Sequence, residues 1–370
     1  MLTREELPDC PVATTVQLIG NKWKLLILRN LQARPWRFNE LLRSIPGLSQ
    51  EGAYGQPARA GGGRDHHPNG FSGSPAPGGI RAERTGVFHA PDHKGDGGLG
   101  QRLSAESAGS EMNQQERCLW LIRALLSENA QYKDTAVPVQ PEKRWQLLRS
   151  LMNVRAPMPV TEAFLRVQDA FLSQMTLEKG IVDADALPAC AKDERLVLWQ
   201  GDITALRCDA IVNAANSQMH GCFSPCHGCI DNIIHTMAGV QLRLACHELM
   251  QAQGHEEATG KAKLTPGFNL PAKYVLHTVG PIIYGAVSAE DEELLASCYR
   301  SCLDAASQNN LHSVAFCCIS TGVFRFPQER AADIAIRTVR DCLERETSVR
   351  RVVFNVFKDS DLEIYKRKLA

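Results

Sequence analysis

Apolar positions follow two different spacings along the chain, and the spacing changes near residue 195. Between residues 112 and 190, apolar side chains recur three and four positions apart in RCLWLIRALLSENAQY, EKRWQLLRSLMNV and VTEAFLRVQDAFLSQM, which predicts helices. Thr161 is a candidate N-cap for the last of them. From residue 195 onwards, short β-rich runs such as RLVLWQGDIT and KYVLHTVG alternate with helical segments, which indicates an α/β sheet with helices on both faces.

A separate helical pattern occupies residues 1–50. TTVQLIGNKWKLLILRNLQ and RFNELLRSI predict two helices, and Pro46-Gly47 ends the second. The stretches CPV, IGNKWKLLILRNL and RFNELLRSIPGLSQ resemble the start of the HxlR-type winged helix-turn-helix regulators. The resemblance stops where such a regulator begins its recognition helix. We therefore interpret residues 1–50 as a truncated fragment and expect no specific DNA binding.

Residues 51–111 show neither spacing, and the first 60 of them hold 15 of the 28 glycines. Such a composition buries too little apolar surface to offset the entropy lost on ordering. The segment is either a natural linker or, in the interpretation we favour, the remnant of a frameshift that joined two genes. Met112 would then be an independent start, followed by a helical extension at 112–195 and an α/β domain at 196–370.

Charge and composition exclude some classes of partner. Lys+Arg and Asp+Glu are equal at 41 each, so no overall charge attracts the chain to nucleic acid or to an anionic membrane. Apolar runs stay shorter than the roughly 18 residues of a spanning helix, and the charged start MLTREELPDC lacks the features of a secretory signal. We therefore expect a cytoplasmic protein whose 13 cysteines are thiols or metal ligands, not disulfides.

The stretch GCFSPCHGCIDN, residues 221–232, concentrates soft ligands beside a carboxylate, Asp231. Cys222, His227 and Cys229 are a usual set for one zinc ion with an open coordination position, and sulfur disfavours Mg²⁺ and Ca²⁺. The alternatives are a redox pair of Cys226 with Cys229, which lacks a thioredoxin-like context, or no function at all. Cys226 remains open as a fourth ligand, a spare thiol or a neighbour.

Polar segments follow several of the predicted strands, where open α/β sheets bind their ligands. GDIT offers Asp202 as an acceptor for an exocyclic amine, and NAAN places Asn213 and Asn216 among small residues that allow close approach. In ISTGVFRFP, residues 320–322 precede a helix and present backbone N–H groups suited to a phosphate. Phe357 follows the last strand and is able to stack on a base.

In this order the segments resemble a macrodomain, the module that binds ADP-ribose. GDIT, DAIVNAAN, IHTMAG, LPAKYVLHTVGP, ISTGVF and VVFNVF stand where that family has its signatures, across residues 196–370. The resemblance implies a three-layer α/β/α fold with a mixed sheet. The thiol-rich loop and residues 112–195 resemble the zinc-containing bacterial members and their helical extension, and those members are hydrolases that remove ADP-ribose from modified proteins.

The resemblance also implies roles for single residues. Asp202 and Ile203 match the pair that binds adenine, and Phe357 matches the aromatic residue that stacks on it. Asn216 matches the asparagine that orients the distal ribose, and Asp231 the catalytic aspartate. The loop around the diphosphate and distal ribose is matched by Ser320, Thr321, Gly322, Val323 and Phe324. The chain departs from the metal-free hydrolases, because a longer thiol-rich loop replaces their run of glycines between the asparagine and the aspartate.

The expected function is therefore zinc-assisted hydrolysis of single, carboxylate-linked ADP-ribose units from protein side chains. The expected partners are an ADP-ribosylated protein and ADP-ribose, without a membrane. The alternatives are a reader that binds ADP-ribose without chemistry, and a metal- or redox-responsive transcription regulator. Asp231 and the ligand set favour the enzyme, since a reader requires neither. His235, one turn after Asp231, is either a helix-packing histidine or a metal ligand or proton shuttle.

Overall fold

The computed structural model describes residues 112–370, so the predictions for residues 1–50 and 51–111 lie outside the described residues. Three helices come first, where the apolar spacing predicts them: α1 (Gln114–Glu128), α2 (Pro141–Val154) and α3 (Glu162–Lys179). Gly180 ends α3 with a φ of 88°, a conformation that glycine adopts without strain. Short strands, not helix, occupy part of the stretch from 182 to 190.

Side-chain caps fix where these helices begin. The side chain of Asn113 accepts hydrogen bonds from the first turn of α1, and Glu116 accepts one from the backbone N–H of Asn113 in return. The predicted cap of α3 is confirmed, because Thr161 accepts from the N–H of Phe164 at 3.2 Å. Pro141 occupies the first position of α2, where its missing N–H costs nothing.

The remainder of the described chain is an α/β part. Its strands are β1 (Val182–Asp183), β2 (Ala189–Cys190), β3 (Asp193–Gln200), β4 (Leu206–Arg207), β5 (Ala210–Ala215), β6 (Ala262–Pro266), β7 (Tyr274–Val279), β8 (Ser313–Phe316) and β9 (Arg351–Val356). Its helices are α4 (Ile230–Ala238), α5 (Val240–Gln253), α6 (Ala289–Gln308), α7 (Gln328–Leu343) and α8 (Asp359–Leu369). No helix among residues 112–370 combines the length and the apolar character needed to cross a membrane.

Within residues 112–370, seven strands form one mixed sheet in the order β2-β3-β9-β8-β5-β7-β6, and β1 pairs separately with β4. The five central strands are parallel, while the edge strands β2 and β6 are antiparallel to their neighbours. Every residue of β8 is buried, and successive residues of a strand point to opposite faces. Both faces of the sheet are therefore covered, as the alternation of strands and helices predicts.

The helical extension shares a core with the α/β part. The buried side chains of α1, α2 and α3 that form this core include Leu121, Ile122, Leu125, Leu148, Val167 and Leu172. Val240, the first residue of α5, belongs to the same cluster. Full burial of such a side chain contributes about 1.5–3 kcal/mol, and Val240 is the buried residue of this core that ties the extension to the α/β part.

The parallel strands position the site. Because β3, β9, β8 and β5 run in the same direction, their carboxyl ends lie at one edge of the sheet. The segments that follow these ends are the polar ones singled out from the sequence: 201–204 after β3, 216–229 after β5, 317–326 after β8 and 357–358 after β9. The fold thus collects four distant stretches of sequence at one place.

Leu148→Ala should lower the free energy of unfolding by about 2–5 kcal/mol, because Leu148 is fully buried in the shared core and the substitution leaves a cavity. Urea unfolding of the full chain, followed by circular dichroism, measures this change. Lys143→Ala on the exposed face of the same helix is the control and should change it by less than about 0.5 kcal/mol. If both substitutions lowered the free energy of unfolding equally, the burial of Leu148 in the shared core would be contradicted.

Candidate active site

The carboxyl ends of β3 and β9 bring together the residues predicted to bind a base. Gln200 and Val356 are paired in register, and Nε2 of Gln200 donates to the carbonyl oxygen of Phe357 at 3.2 Å. The side chain of Phe357 is 76% exposed, so its ring is free to stack. Ile203 is buried, and its side chain belongs to the hydrophobic core.

Asp202 lies beside them as an ionised acceptor. Its Oδ1 accepts from the backbone N–H and the hydroxyl of Thr204 at 3.0 and 2.7 Å, and its Oδ2 pairs with Nζ of Lys179 at 3.1 Å. Burial raises the pKa of Asp202, but these hydrogen bonds and the charge of Lys179 outweigh burial and lower it overall. Since Lys179 ends α3, the extension reaches this end of the site.

The loop after β8 presents backbone N–H groups of a kind suited to an anion. It contains the five residues predicted to hold a diphosphate, Ser320, Thr321, Gly322, Val323 and Phe324. The backbone N–H groups of the last three make no hydrogen bond within residues 112–370. The loop is closed by bonds from the hydroxyl of Thr321 to the carbonyl of Cys318 and from the N–H of Ile283 to the carbonyl of Phe324. Successive free N–H groups in a turn form a concave anion site.

Asn216 follows β5 and faces the start of the thiol-rich loop. Its Nδ2 donates to the carbonyl of Gly221 at 3.1 Å. Its Oδ1 is buried and has no hydrogen-bond partner among residues 112–370, so this oxygen is available to a ligand. Gly221 has a φ of 77°, and a Cβ there would lie 2.8–2.9 Å from the ring of His235. The loop therefore packs directly on α4.

Asp231 is in the first turn of α4 and is only 5% exposed. Its Oδ1 accepts from Nδ2 of Asn213 at 2.8 Å. Burial raises the pKa of Asp231 to about 7, with a further rise from Cys222, while Asn213 and the charge of Arg243 lower it. A carboxylate in this range is suited to general-base work near neutral pH.

Asn213, which the sequence predicts to bind substrate, lies in the interior of the protein. Its side chain is fully buried in β5, and its Oδ1 has no hydrogen-bond partner among residues 112–370. Besides Asp231, its Nδ2 contacts Nδ1 of His277 at 3.2 Å, and Nε2 of His277 lies 2.9 Å from Oγ1 of Thr265. Burial lowers the pKa of His277 to about 3, which keeps this ring neutral. Asn213 thus holds the catalytic candidate in place from below.

His277 is a residue that the sequence reasoning missed. The available signal is a polar side chain inside the apolar strand KYVLHTVG. His277 also groups with His235 and Cys246, and the three are buried with their ligand atoms within 4.8 Å of one another. Because both nitrogens of His277 already have protein partners, we interpret His277 as part of the hydrogen-bonded support below Asp231.

The predicted metal ligands come together at the amino end of α4. The ligand atoms of Cys222, His227 and Cys229 all lie within 4.8 Å of one another. The hydrogen bond between the two thiols lowers the pKa of Cys222, which favours a thiolate there, and raises the pKa of Cys229. Sγ of Cys229 also accepts from the N–H of Asn232 and caps α4. Two sulfurs and one imidazole are a donor set that fits zinc.

The structure shows the surroundings of Cys226 and His235, the two residues whose roles the sequence leaves open. Cys226 lies outside the ligand group, since its Sγ is 3.2 Å from the hydroxyl of Ser150 and 3.3 Å from the carbonyl of Gln146, both on α2. Nε2 of His235 is 3.5 Å from Oδ1 of Asp231 in the interior, and burial keeps the pKa of His235 well below its usual value. His235 is therefore a neutral neighbour of the carboxylate, outside the ligand group.

Comparison with known proteins agrees with this architecture. A family model described as Macro domain matches residues 212–335. The chain is 52% identical over 261 residues to a protein-ADP-ribose hydrolase of Treponema medium, which covers 70% of this chain and all of that protein. The chain belongs to the macrodomain family of protein-ADP-ribose hydrolases. The predicted macrodomain fold and the predicted class of enzyme, a hydrolase, are thereby confirmed.

Further matches lie in both parts of the chain. A protein-ADP-ribose hydrolase of Staphylococcus aureus is 51% identical over 251 residues, which covers 68% of this hydrolase and 94% of the relative. The solved macrodomain of Trypanosoma brucei in complex with ADP is 31% identical, with a TM-score of 0.47, over 61% of this chain and 96% of that one. A family model described as HxlR-like helix-turn-helix matches residues 18–53, as the resemblance predicts.

Gly221→Ala should lower the free energy of unfolding by about 1–3 kcal/mol, because the new Cβ would clash with His235 and the positive φ strains alanine. Gly228→Ala in the same loop is the matched control, since nothing lies within 4 Å of its Cβ and its φ is not positive. Urea unfolding of both variants measures the difference. Equal stability of the two would show that the loop does not pack on α4 as described.

Proposed function

We propose that the chain hydrolyses the bond between the distal ribose of a single ADP-ribose unit and a carboxylate side chain of a modified protein, with the help of one zinc ion. The observation that carries the proposal is a buried carboxylate, Asp231, two residues after the last of three soft metal ligands and 2.8 Å from Asn213. The hydrolase names of the Treponema medium and Staphylococcus aureus relatives support the same reaction.

The edge of the sheet suits each part of ADP-ribose in turn. The exposed ring of Phe357 and the ionised carboxylate of Asp202 suit adenine, as a stacking surface and an acceptor for its amine. The free N–H groups at residues 322–324 suit the diphosphate. The unpartnered Oδ1 of Asn216 is available to a hydroxyl of the distal ribose. The carboxylate linkage itself rests on the family resemblance.

The residues at the amino end of α4 fit zinc by the chemistry of their donors. Cys222, His227 and Cys229 would hold the ion through two sulfurs and one ring nitrogen, as one compact group. Zinc in such a three-ligand site supplies a Lewis acid to an oxygen atom. A reducing compartment keeps both sulfurs available as ligands, which is why we place the protein in the cytoplasm.

The protein's own groups perform the remaining work. Asp231 orients the attacking water and takes its proton, because burial sets its pKa near neutrality. Asn213 holds Asp231 in one orientation through the bond from Nδ2. Asn216 and the loop at 320–324 fix the ribose and the diphosphate, so that the bond to be broken lies beside the carboxylate.

Asp231→Asn should reduce hydrolysis of a mono-ADP-ribosylated protein by about 10²–10⁴-fold, because the amide cannot accept the proton of water. Binding of free ADP-ribose, measured by calorimetry, should persist, since adenine and the diphosphate contact other segments. Asp341→Asn on the exposed surface of α7 is the control and should retain full activity. Unchanged hydrolysis by Asp231→Asn would show that Asp231 is not the catalytic base and overturn the proposed mechanism, whereas a wild-type chain that binds ADP-ribose without hydrolysing the bond would be a reader.

Metal analysis tests the ligand set. The purified chain should contain about one zinc ion, and Cys229→Ala should lose most of it because the donor set falls to two. Cys226→Ala is the matched control in the same loop and should keep the metal, since its thiol contacts α2. A strong chelator should abolish hydrolysis in step with zinc loss. Full activity of the metal-free chain would refute zinc assistance while leaving the hydrolase itself intact.

A further inference from the structure

The segment that carries the metal-type ligands has no regular structure of its own. Residues 216–229 lie between β5 and α4 and contain neither helix nor strand. Its backbone therefore lacks the repeated hydrogen bonds that fix the position of a side chain on an element. The three ligand atoms nevertheless form a compact group. A few hydrogen bonds within the loop, such as that from Asn216 to Gly221, contribute to this order, and groups outside the loop contribute the rest.

Arg149, on α2 of the extension, contacts this loop directly. Its Nη2 donates to the carbonyl oxygen of the ligand His227 at 2.7 Å and to Oδ1 of Asn232 at 2.8 Å. Hydrogen bonds from a charged donor are among the stronger ones in proteins. A side chain 78 positions away in sequence therefore holds the backbone of one metal ligand.

Asn232 extends the same network to a second ligand. It is fully buried, and its Nδ2 donates to the carbonyls of Ser224 at 2.9 Å and of Cys222 at 3.3 Å. Because Arg149 occupies the oxygen of this amide, the amide nitrogen is directed at the loop. Arg149 and Asn232 together bind the backbone at both ends of the stretch from Cys222 to His227.

A neighbouring side chain of α2 fixes the middle of the loop. Oδ1 of Asn153 accepts from the backbone N–H of Cys226 at 2.9 Å, while its Nδ2 donates to the hydroxyl of Thr236 on α4 at 3.0 Å. Cys226 has a φ of 52°, which a residue with a side chain seldom adopts. The thiol of Cys226 is held by Ser150, so this turn is secured by α2 on both its backbone and its side chain.

We propose that Arg149 is a positioning residue for the metal site, and that the helical extension is the outer part of that site. The inference rests on the zinc assignment made in the proposed function. Side chains that orient metal ligands from outside typically change metal affinity by about 10–100-fold when removed. Arg149 has this effect through the carbonyl of His227 and through Asn232, without touching the ion.

The contacts of Arg149 distinguish a role in positioning the metal site from a role in stabilising the fold of the extension. Its hydrogen bonds go to the thiol-rich loop and to α4, and none goes to α1 or α3 within residues 112–370. Arg144, five residues earlier on α2, is the reverse case. Its Nε donates to the carbonyl of Pro138 at 2.8 Å and its Nη1 contacts Gln115 at 3.4 Å, both within the extension. The two arginines therefore form a matched pair for an experiment.

The test compares Arg149→Met, Arg149→Lys and Arg144→Met in the full chain. Zinc affinity is measured by competition with a chromogenic chelator, and the melting temperature of each metal-free protein is recorded alongside. Arg149→Met should weaken zinc binding by about 10–100-fold. Arg149→Lys should weaken it less, because an ammonium group still donates to a carbonyl. Arg144→Met should leave zinc affinity unchanged.

The outcomes distinguish this inference from the proposed function. If wild type binds zinc and Arg149→Met binds it equally tightly, the positioning role is wrong while the zinc site stands. If Arg149→Met and Arg144→Met weaken zinc binding equally, the effect belongs to the stability of α2 and the inference is overturned. If wild type binds no zinc, the metal assignment fails and this inference fails with it.

Discussion

The hydrogen bond from Asn213 to Asp231 joins the centre of the sheet to the start of α4, and the rest of the site is arranged around it. A buried carboxylate is costly unless it has partners. Here the support continues through the sheet, from Asn213 to His277 and from His277 to Thr265. These residues lie on three adjacent strands, so the parallel register of β5 and β7 helps to set the position of the buried carboxylate.

This support also explains the chemistry of the carboxylate. A fully paired aspartate would be a weak base, and an unpaired one would be protonated or displaced from the interior. One strong hydrogen bond, from Asn213, and a buried arginine, Arg243, keep Asp231 between these limits, with its pKa raised to about 7. Arg243 contributes a second time, because it donates to the carbonyls of Asn153, in the last turn of α2, and of Arg155, just after that helix. Arg243 therefore both lowers the pKa of Asp231 and binds the extension through hydrogen bonds.

Much of this could be predicted from the sequence, because local signals carry it. The change from helical to alternating apolar spacing gave the fold class, and polar segments after strands marked Asp202, Asn216 and residues 320–324. Contacts between distant positions carry no such signal. The sequence predicts a substrate contact for Asn213, because its position near the end of a strand can be read from the sequence while its burial cannot. His277 and Arg149 were overlooked because their partners lie 64 and 78 positions away.

The thiol-rich loop shows why the extension and the macrodomain are one working unit. A run of glycines, as the resemblance implies for the metal-free hydrolases, approaches a ligand closely through its own backbone. A longer loop with three candidate side-chain ligands must instead order several rotatable bonds, which costs conformational entropy at each residue. Hydrogen bonds to a rigid partner that is already folded offset this entropy cost. Helix α2 supplies these bonds through Arg149, Ser150 and Asn153, three side chains on one face that contact the loop or its neighbour Asn232. A helix beside the loop thus provides the order that a longer loop with candidate metal ligands lacks, which gives a physical reason for the two to occur in the same chain.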